Sequence, residues 1–402
     1  MTRILKPLIL LVGLATALTV NAQNMRQAQR HDSIADVFIS DQKYEQAITT
    51  LYRVLECLES PHPDSLYIAA LVKMGVCYDR QGIPMKAIES TKRALDYYNE
   101  KFPGEDRYKA GLYDRLAIYC HSMRNFREAY DWSQKAVTIY NAINRPTDEG
   151  IQVLAHAAMI CNAYKLPHEG VRWQEKATTY AKELYGGHSD QYLEHLGTLK
   201  RLCTASGDQP RADKLSELHS LIARENREGF LPEEADLSTP ALCRRHNRDA
   251  LGCCRWYLKH YLYDPQVKQA SSYIIRFCKQ SPDVSFYFGP VEKKWQKRTV
   301  NGYLIAYMAA SAEYALTHPD EPRYSLEQYK FAINSLIDYY DENKKQTGSV
   351  YAFDHYLKLR DRDARFLDEQ LEKDFEAYKE YMKKHKSTDI EVEMLSIIDA
   401  SY

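Results

Sequence analysis

Two short runs in this chain combine residue types that could do chemistry. His188-Ser189-Asp190 holds a base, a hydroxyl and a carboxylate, the parts of an acyl-transfer triad. Neighbours in sequence seldom meet as nucleophile, base and orienter, and this run stands in a link between helical segments. Cys243 and His246 have the spacing of two metal ligands on one helical face, but a zinc site wants four donors and no second pair accompanies them. The remaining histidines, among them His121, His156, His168, His195 and His219, are scattered. No His-Glu-x-x-His, Gly-x-Ser-x-Gly, phosphate loop or dinucleotide fingerprint occurs. The expectation is a non-enzymatic protein with no catalytic residues, no metal and no cofactor.

Nine cysteines would suit a disulfide framework. Four of them, Cys77, Cys120, Cys161 and Cys203, recur at nearly one interval, as packing residues do. Free cysteine packs as a small apolar side chain. The adjacent Cys253 and Cys254 point in different directions on a helix, so core packing is the better reading for them too.

The elements that must position any site follow from the same interval. Ala47, Ala87, Ala129, Gly170 and Ala212 recur with a nearly constant spacing. Around each, apolar residues step by three or four, as in Leu71, Met74 and Tyr78 or Leu154, Ala157 and Cys161, so each helix buries one stripe. Small residues mark helix crossings, where only a short side chain lets two axes approach. Polar residues and glycine, as in Asp79-Arg80-Gln81-Gly82 and Ser206-Gly207-Asp208, mark the turns. The spacing, about 42 residues, is that of stacked helical hairpins, a scaffold for holding something.

From about Arg26 to Asn226 the chain resembles the tetratricopeptide repeat (TPR) family, in the 42-residue form found in kinesin light chains. The extra residues lie between repeats, at Pro61-His62-Pro63-Asp64, Phe102 to Asp106, Pro146-Thr147-Asp148 and Tyr185 to Asp190. The family's tryptophan near the start of the first helix is absent, Lys200 stands where a small residue is expected, and Pro84, Pro167 and Gln209 replace an aromatic. The resemblance implies a right-handed α-solenoid of about five hairpins. It also implies a concave groove that binds protein or peptide partners. Near the ends of the first helices that groove would expose Asp79, Arg80, His121, Asn162 and Arg201. These do not reproduce the paired lysine and asparagine pattern by which chaperone-binding members grip a terminal carboxylate.

After Asn226 the rhythm fades. Helix starts at Ser238-Thr239-Pro240 and Asp264-Pro265 predict helices to about Tyr263 and Gln280. Val284 to Gly289 reads as extended. Further helices are expected from Pro290 or Val291 to Leu316, from Ser325 to about Lys344, from Ser349 to Arg360 and from Asp363 to His385. Aromatics crowd this half, among them Trp256, Tyr257, Tyr261, Tyr263, Trp295, Tyr339, Tyr340, Tyr351, Phe353 and Tyr356. Helix packing accounts for them; the alternative is a carbohydrate-binding surface.

The expected organisation is all-α. A signal peptide over 1–22 precedes a TPR-like solenoid over 23–228, a C-terminal helical domain over 238–386 and a tail over 387–402. Arg3 and Lys6 precede an uncharged run from Leu8 to Val20, and Val20-Asn21-Ala22 offers small residues for cleavage before Gln23. This pattern implies export to the periplasm or medium. No later segment is apolar enough to span a bilayer. Removing the leader takes the formal charge from −1 to −3, which disfavours nucleic acid as a partner.

Overall fold

The computed structural model describes residues 23–58, 64–286, 291–292, 295 and 301–384. The signal-like leader, the tail, the Pro61-His62-Pro63 link and Tyr287 to Gly289 lie outside these residues. Among the described residues there is no strand, and no helix is long and apolar enough to cross a membrane. Contacts divide the chain into two compact units, one running to Leu184 and including Glu194–Leu215, the other comprising Tyr185–Leu193 and the chain from Ser216.

Five helical hairpins come first. They pair α1 (23–40) with α2 (Tyr44–Cys57), α3 (Asp64–Arg80) with α4 (Pro84–Lys101), and α5 (Arg107–Ser122) with α6 (Phe126–Ile143). The last two pair α7 (Asp148–Ala163) with α8 (Pro167–Tyr185), and α9 (Asp190–Ala205) with α10 (Gln209–Glu228).

Every hairpin turns the same way. Gln42, Gly82, Arg124, Lys165 and Gly207 all adopt positive φ, between 59° and 85°. Each stands five positions before the anchor residue of its hairpin, so the turns keep the period of the crossings. The residue after each donates its N–H to a carbonyl five back, Lys43 to Phe38, Ile83 to Tyr78, Asn125 to Cys120, Leu166 to Cys161 and Asp208 to Cys203, at 2.8–2.9 Å. This left-handed cap satisfies carbonyls orphaned at the helix end and reverses the chain. Only two of the five positions carry glycine.

The second helices start where the local chemistry allows. Pro84 and Pro167 replace the expected aromatic because each opens its helix, where proline's missing N–H has no intrahelical role. Asp106, Asn125 and Thr147 cap α5, α6 and α7 by accepting from Lys109, Glu128 and Gly150 backbone N–H groups.

The anchor positions are all buried. Gly170 departs from alanine for a steric reason, since a Cβ there would lie 2.8 Å from the Ala158 carbonyl oxygen of α7. Cys77, Cys120, Cys161 and Cys203 are buried free thiols. Burial pushes Cys77 and Cys120 to about 11 and Cys161 to about 12.

The second unit contains α11 (Pro240–Arg245), α12 (Asn247–Lys259), α13 (Val267–Gln280), α14 (Asn301–Thr317), α15 (Leu326–Thr347), α16 (Tyr351–Arg362) and α17 (Ala364–Lys384). The single helix expected from Pro240 to Tyr263 is broken at His246 and ends at Lys259. A tertiary contact ends it: the Leu262 N–H is held by Asn343 Oδ1 at 2.7 Å, and the Leu262 side chain fills the space that a Cβ on Gly302 would need. Asp264 accepts from the Gln266 N–H, and α13 begins only at Val267. Ser325 caps α15, whereas Val350 rather than Ser349 stands at the start of α16.

Aromatic rings form the centre of this unit. Tyr303, Tyr340 and Phe353 meet edge to face at centroid distances of 5.2–5.7 Å, and Trp295 adds a contact to Phe353 at 5.3 Å. Several buried hydroxyls turn inward to fixed partners rather than outward to solvent. Tyr257 donates to the Gly302 carbonyl at 2.9 Å, Tyr329 to Glu292 at 2.9 Å and Tyr356 to Asp374 at 2.8 Å. Tyr340 donates to Asp354 and accepts from the Val350 N–H, both at 2.8 Å. Such pairing offsets the desolvation of a buried hydroxyl.

Candidate functional site

The first helices of successive hairpins put one face of α3, α5 and α7 side by side. Between them lies a cleft of roughly 810 Å³. Val72, Val76, Leu112, Ile118 and Val153 supply apolar wall, and Tyr108, Tyr119 and Tyr140 supply rings with polar tips. Its charges are Asp79 and Arg80 on α3, Arg107, Asp114 and Arg115 on α5, and Glu149 and His156 on α7.

These charges are unevenly partnered. His156 Nδ1 lies 3.0 Å from Asp114 Oδ2 and 3.2 Å from Oδ1. Burial alone would lower the imidazole pKa; the hydrogen bond and charge of Asp114 outweigh it and raise the value. Burial raises Asp79 and the neighbouring Arg80 opposes that rise. Burial raises the Tyr119 hydroxyl and the nearby charge of Arg115 opposes that rise. Among the described residues, none of Arg80, Arg107 and Arg115 forms an ion pair. The cleft therefore holds one carboxylate paired with an imidazole, two carboxylates (Asp79 and Glu149) outside any ion pair among the described residues, and three guanidiniums with donors to spare.

Of the residues expected in a groove, Asp79 and Arg80 line this cleft. His121, Asn162 and Arg201 are outside its lining. The His121 ring packs against Phe126 at 5.5 Å, and burial lowers its pKa. Asn162 is exposed, and its carbonyl accepts from the Lys165 N–H in the turn. Arg201 is exposed on α9 and donates to Thr198. Asp114, His156, Arg107 and Arg115 escaped the sequence reading, yet a signal existed. Asp114 pairs with His156 one repeat further on, and Arg107 and Glu149 have the same separation. Opposite charges one repeat apart thus mark neighbouring positions on this face.

The runs that hinted at chemistry are used otherwise. His188 pairs with Glu225 at 3.0 Å and stacks on Phe230 with ring centroids 3.5 Å apart. Ser189 accepts from the Tyr192 N–H and donates to the Gly186 carbonyl, and Asp190 accepts from Arg248. Cys243 is buried with its Sγ toward the Leu237 carbonyl, while His246 contacts Asp249. No group of three or more candidate metal ligands occurs among the described residues. Most of the aromatics that suggested a carbohydrate surface are core residues, with Tyr261, Tyr263 and Tyr351 exposed.

Five hairpins, each closed by a left-handed cap and crossed at a small anchor residue, define a TPR-like helical-repeat architecture. No family model matches the sequence, and no curated protein matches it. Among solved structures, part of the chain is similar to the nearly identical TPR-like repeats of a putative kinesin light chain of Podosopora anserina. That similarity has 17% identity over 51% of this chain and 99% of the other, with a TM-score of 0.45. BtubC (BKLC) of P. vanneervenii is similar at 18% identity over 55% of this chain and 94% of the other, TM-score 0.45. Pseudomonas aeruginosa pilF is similar at 14% identity over 64% and 93%, TM-score 0.38.

Proposed function

We propose that the chain is a non-enzymatic scaffold that holds a peptide segment of a protein partner in the cleft of α3, α5 and α7. The observation that supports this reading is the cleft itself: an open apolar trough edged by three guanidiniums without ion-pair partners among the described residues. Side chains of this kind suit a polypeptide ligand, whose apolar side chains fill the trough while its polar groups meet the rim. The leader-like run from Leu8 to Val20 supports action outside the cytoplasm, and the N-terminus of the protein recovered from its native compartment would then be Gln23.

Hydroxyl-radical footprinting tests the cleft. Tyr108 lines it and is 45% exposed, so a bound peptide should suppress oxidation of that ring. Arg80→Glu should weaken binding, and Arg201→Glu should leave it unchanged. Oxidation of Tyr108 at the free rate in the presence of saturating peptide would remove the cleft from consideration.

A further inference from the structure

Gly111 sits on the cleft face of α5 between two arginines, at Arg107 and Arg115, each one turn away. Packing does not demand a glycine there: a Cβ would meet nothing within 4 Å, and no positive φ is involved. Glycine is among the least favourable residues inside a helix, well below alanine. The consequence is a notch, a place where a ligand can approach the helix backbone between two guanidiniums.

We infer that the cleft selects an extended acidic segment with two carboxylates four residues apart, one on Arg107 and one on Arg115, its middle residue entering the notch over Gly111. This deepens the peptide-binding reading and rests on it. The register follows from two repeats. Eight helical residues separate the arginines by about 12 Å along α5. Four residues of extended chain span about 13 Å, and side chains at even spacing share one face. A shift of one residue would turn one carboxylate away from the helix, and a shift of two would miss a guanidinium by about 7 Å.

The chemistry of the rim supports carboxylate as the recognised group. A guanidinium presents paired N–H donors that match a carboxylate fork. Arg115 forms no ion pair among the described residues, so its donors remain available. Asp114, the carboxylate beside Arg115 in sequence, is held by His156 and does not compete. Asp79 stands beside Arg80 on α3. Glu149 is the remaining acid; it and Arg107 both act on the Tyr140 hydroxyl, so it opposes an incoming carboxylate at that end.

The test is selection of a displayed random-peptide library on the full chain, with sequences of bound peptides as the readout. Enrichment of two acidic residues four apart is expected. That enrichment should disappear on Arg107→Glu/Arg115→Glu, and affinity for a selected peptide should fall at least about tenfold. Glu149→Gln should tighten binding. Gly111→Leu, whose Cβ meets nothing within 4 Å and whose side chain enters the open cleft, raises helix propensity and should fold with an unchanged or higher melting temperature and lose the peptides. Enriched peptides without the acid pair, or unaffected by the double reversal, overturn the register while a loss on Gly111→Leu keeps the cleft. Peptides that bind Gly111→Leu undiminished overturn the cleft as well, and a selection that enriches nothing counts against both.

Discussion

Asp114 and His156 occupy the same position in consecutive repeats and meet at 3.0 Å across the α5–α7 contact. The pair ties two hairpins together and withdraws one carboxylate from the cleft. Because the folded pKa of His156 lies above 6.5, the pair's contribution is complete below the unfolded value and is lost as pH rises through the folded one. The ring is about a third exposed, which screens the effect. Imidazole NMR should therefore show His156 titrating above 6.5, and Asp114→Asn should bring the midpoint down. A midpoint below 6.5 in the unaltered protein would falsify the assignment.

The hairpin caps predict a stabilising set of substitutions. Gln42, Arg124 and Lys165 hold left-handed conformations that disfavour any side chain with a Cβ. Replacing each by glycine should stabilise the fold by about 0.5–1 kcal/mol. Gly82→Ala and Gly207→Ala should destabilise it by a similar amount. Urea unfolding followed by helical circular dichroism measures both, and shifts of the same sign from the two sets would refute the cap assignment.

Phe230 and Gly252 predict a loss where helix propensity alone predicts a gain. The Phe230 N–H donates to the Gly252 carbonyl at 3.0 Å, and a Cβ on Gly252 would lie 2.1 Å from the Phe230 ring. Gly252→Ala should thus be destabilising despite alanine's advantage of about 1 kcal/mol in a helix. Phe230→Ala should cost about 3–5 kcal/mol through the cavity it leaves. The double variant should be less damaging than the sum, because the added methyl then has space. A Gly252→Ala protein that melts higher than the parent would show that the ring gives way freely.

Thiol reactivity gives an independent check on the repeat packing. Cys57 is partly exposed, and the other eight cysteines are buried and free. In the folded chain one thiol should react rapidly with a disulfide reagent and eight slowly, with all nine reacting in denaturant. Several fast thiols in the folded protein would mean that the helix crossings at Cys77, Cys120, Cys161 and Cys203 are looser than described.

The sequence by itself determined the hairpins. Anchor residues, apolar steps of three and four, and turn residues repeat locally at one period, so Ala47, Ala87, Ala129 and Ala212 reveal the crossings without any tertiary information. Non-glycine turns at Gln42, Arg124 and Lys165 show that even the cap geometry follows this period when the residue type hides it. Only the tertiary structure decided which polar residues meet. Helix ends suggested Asp79, Arg80, His121, Asn162 and Arg201; Asp79 and Arg80 line the cleft, and Arg107, Asp114, Arg115 and His156 join them there because neighbours on a stacked surface are one repeat apart rather than adjacent in sequence. The second unit lacks a period altogether. There the Leu262–Asn343 contact and the inward tyrosine hydroxyls depend on partners up to 81 residues away, and no local pattern encodes them.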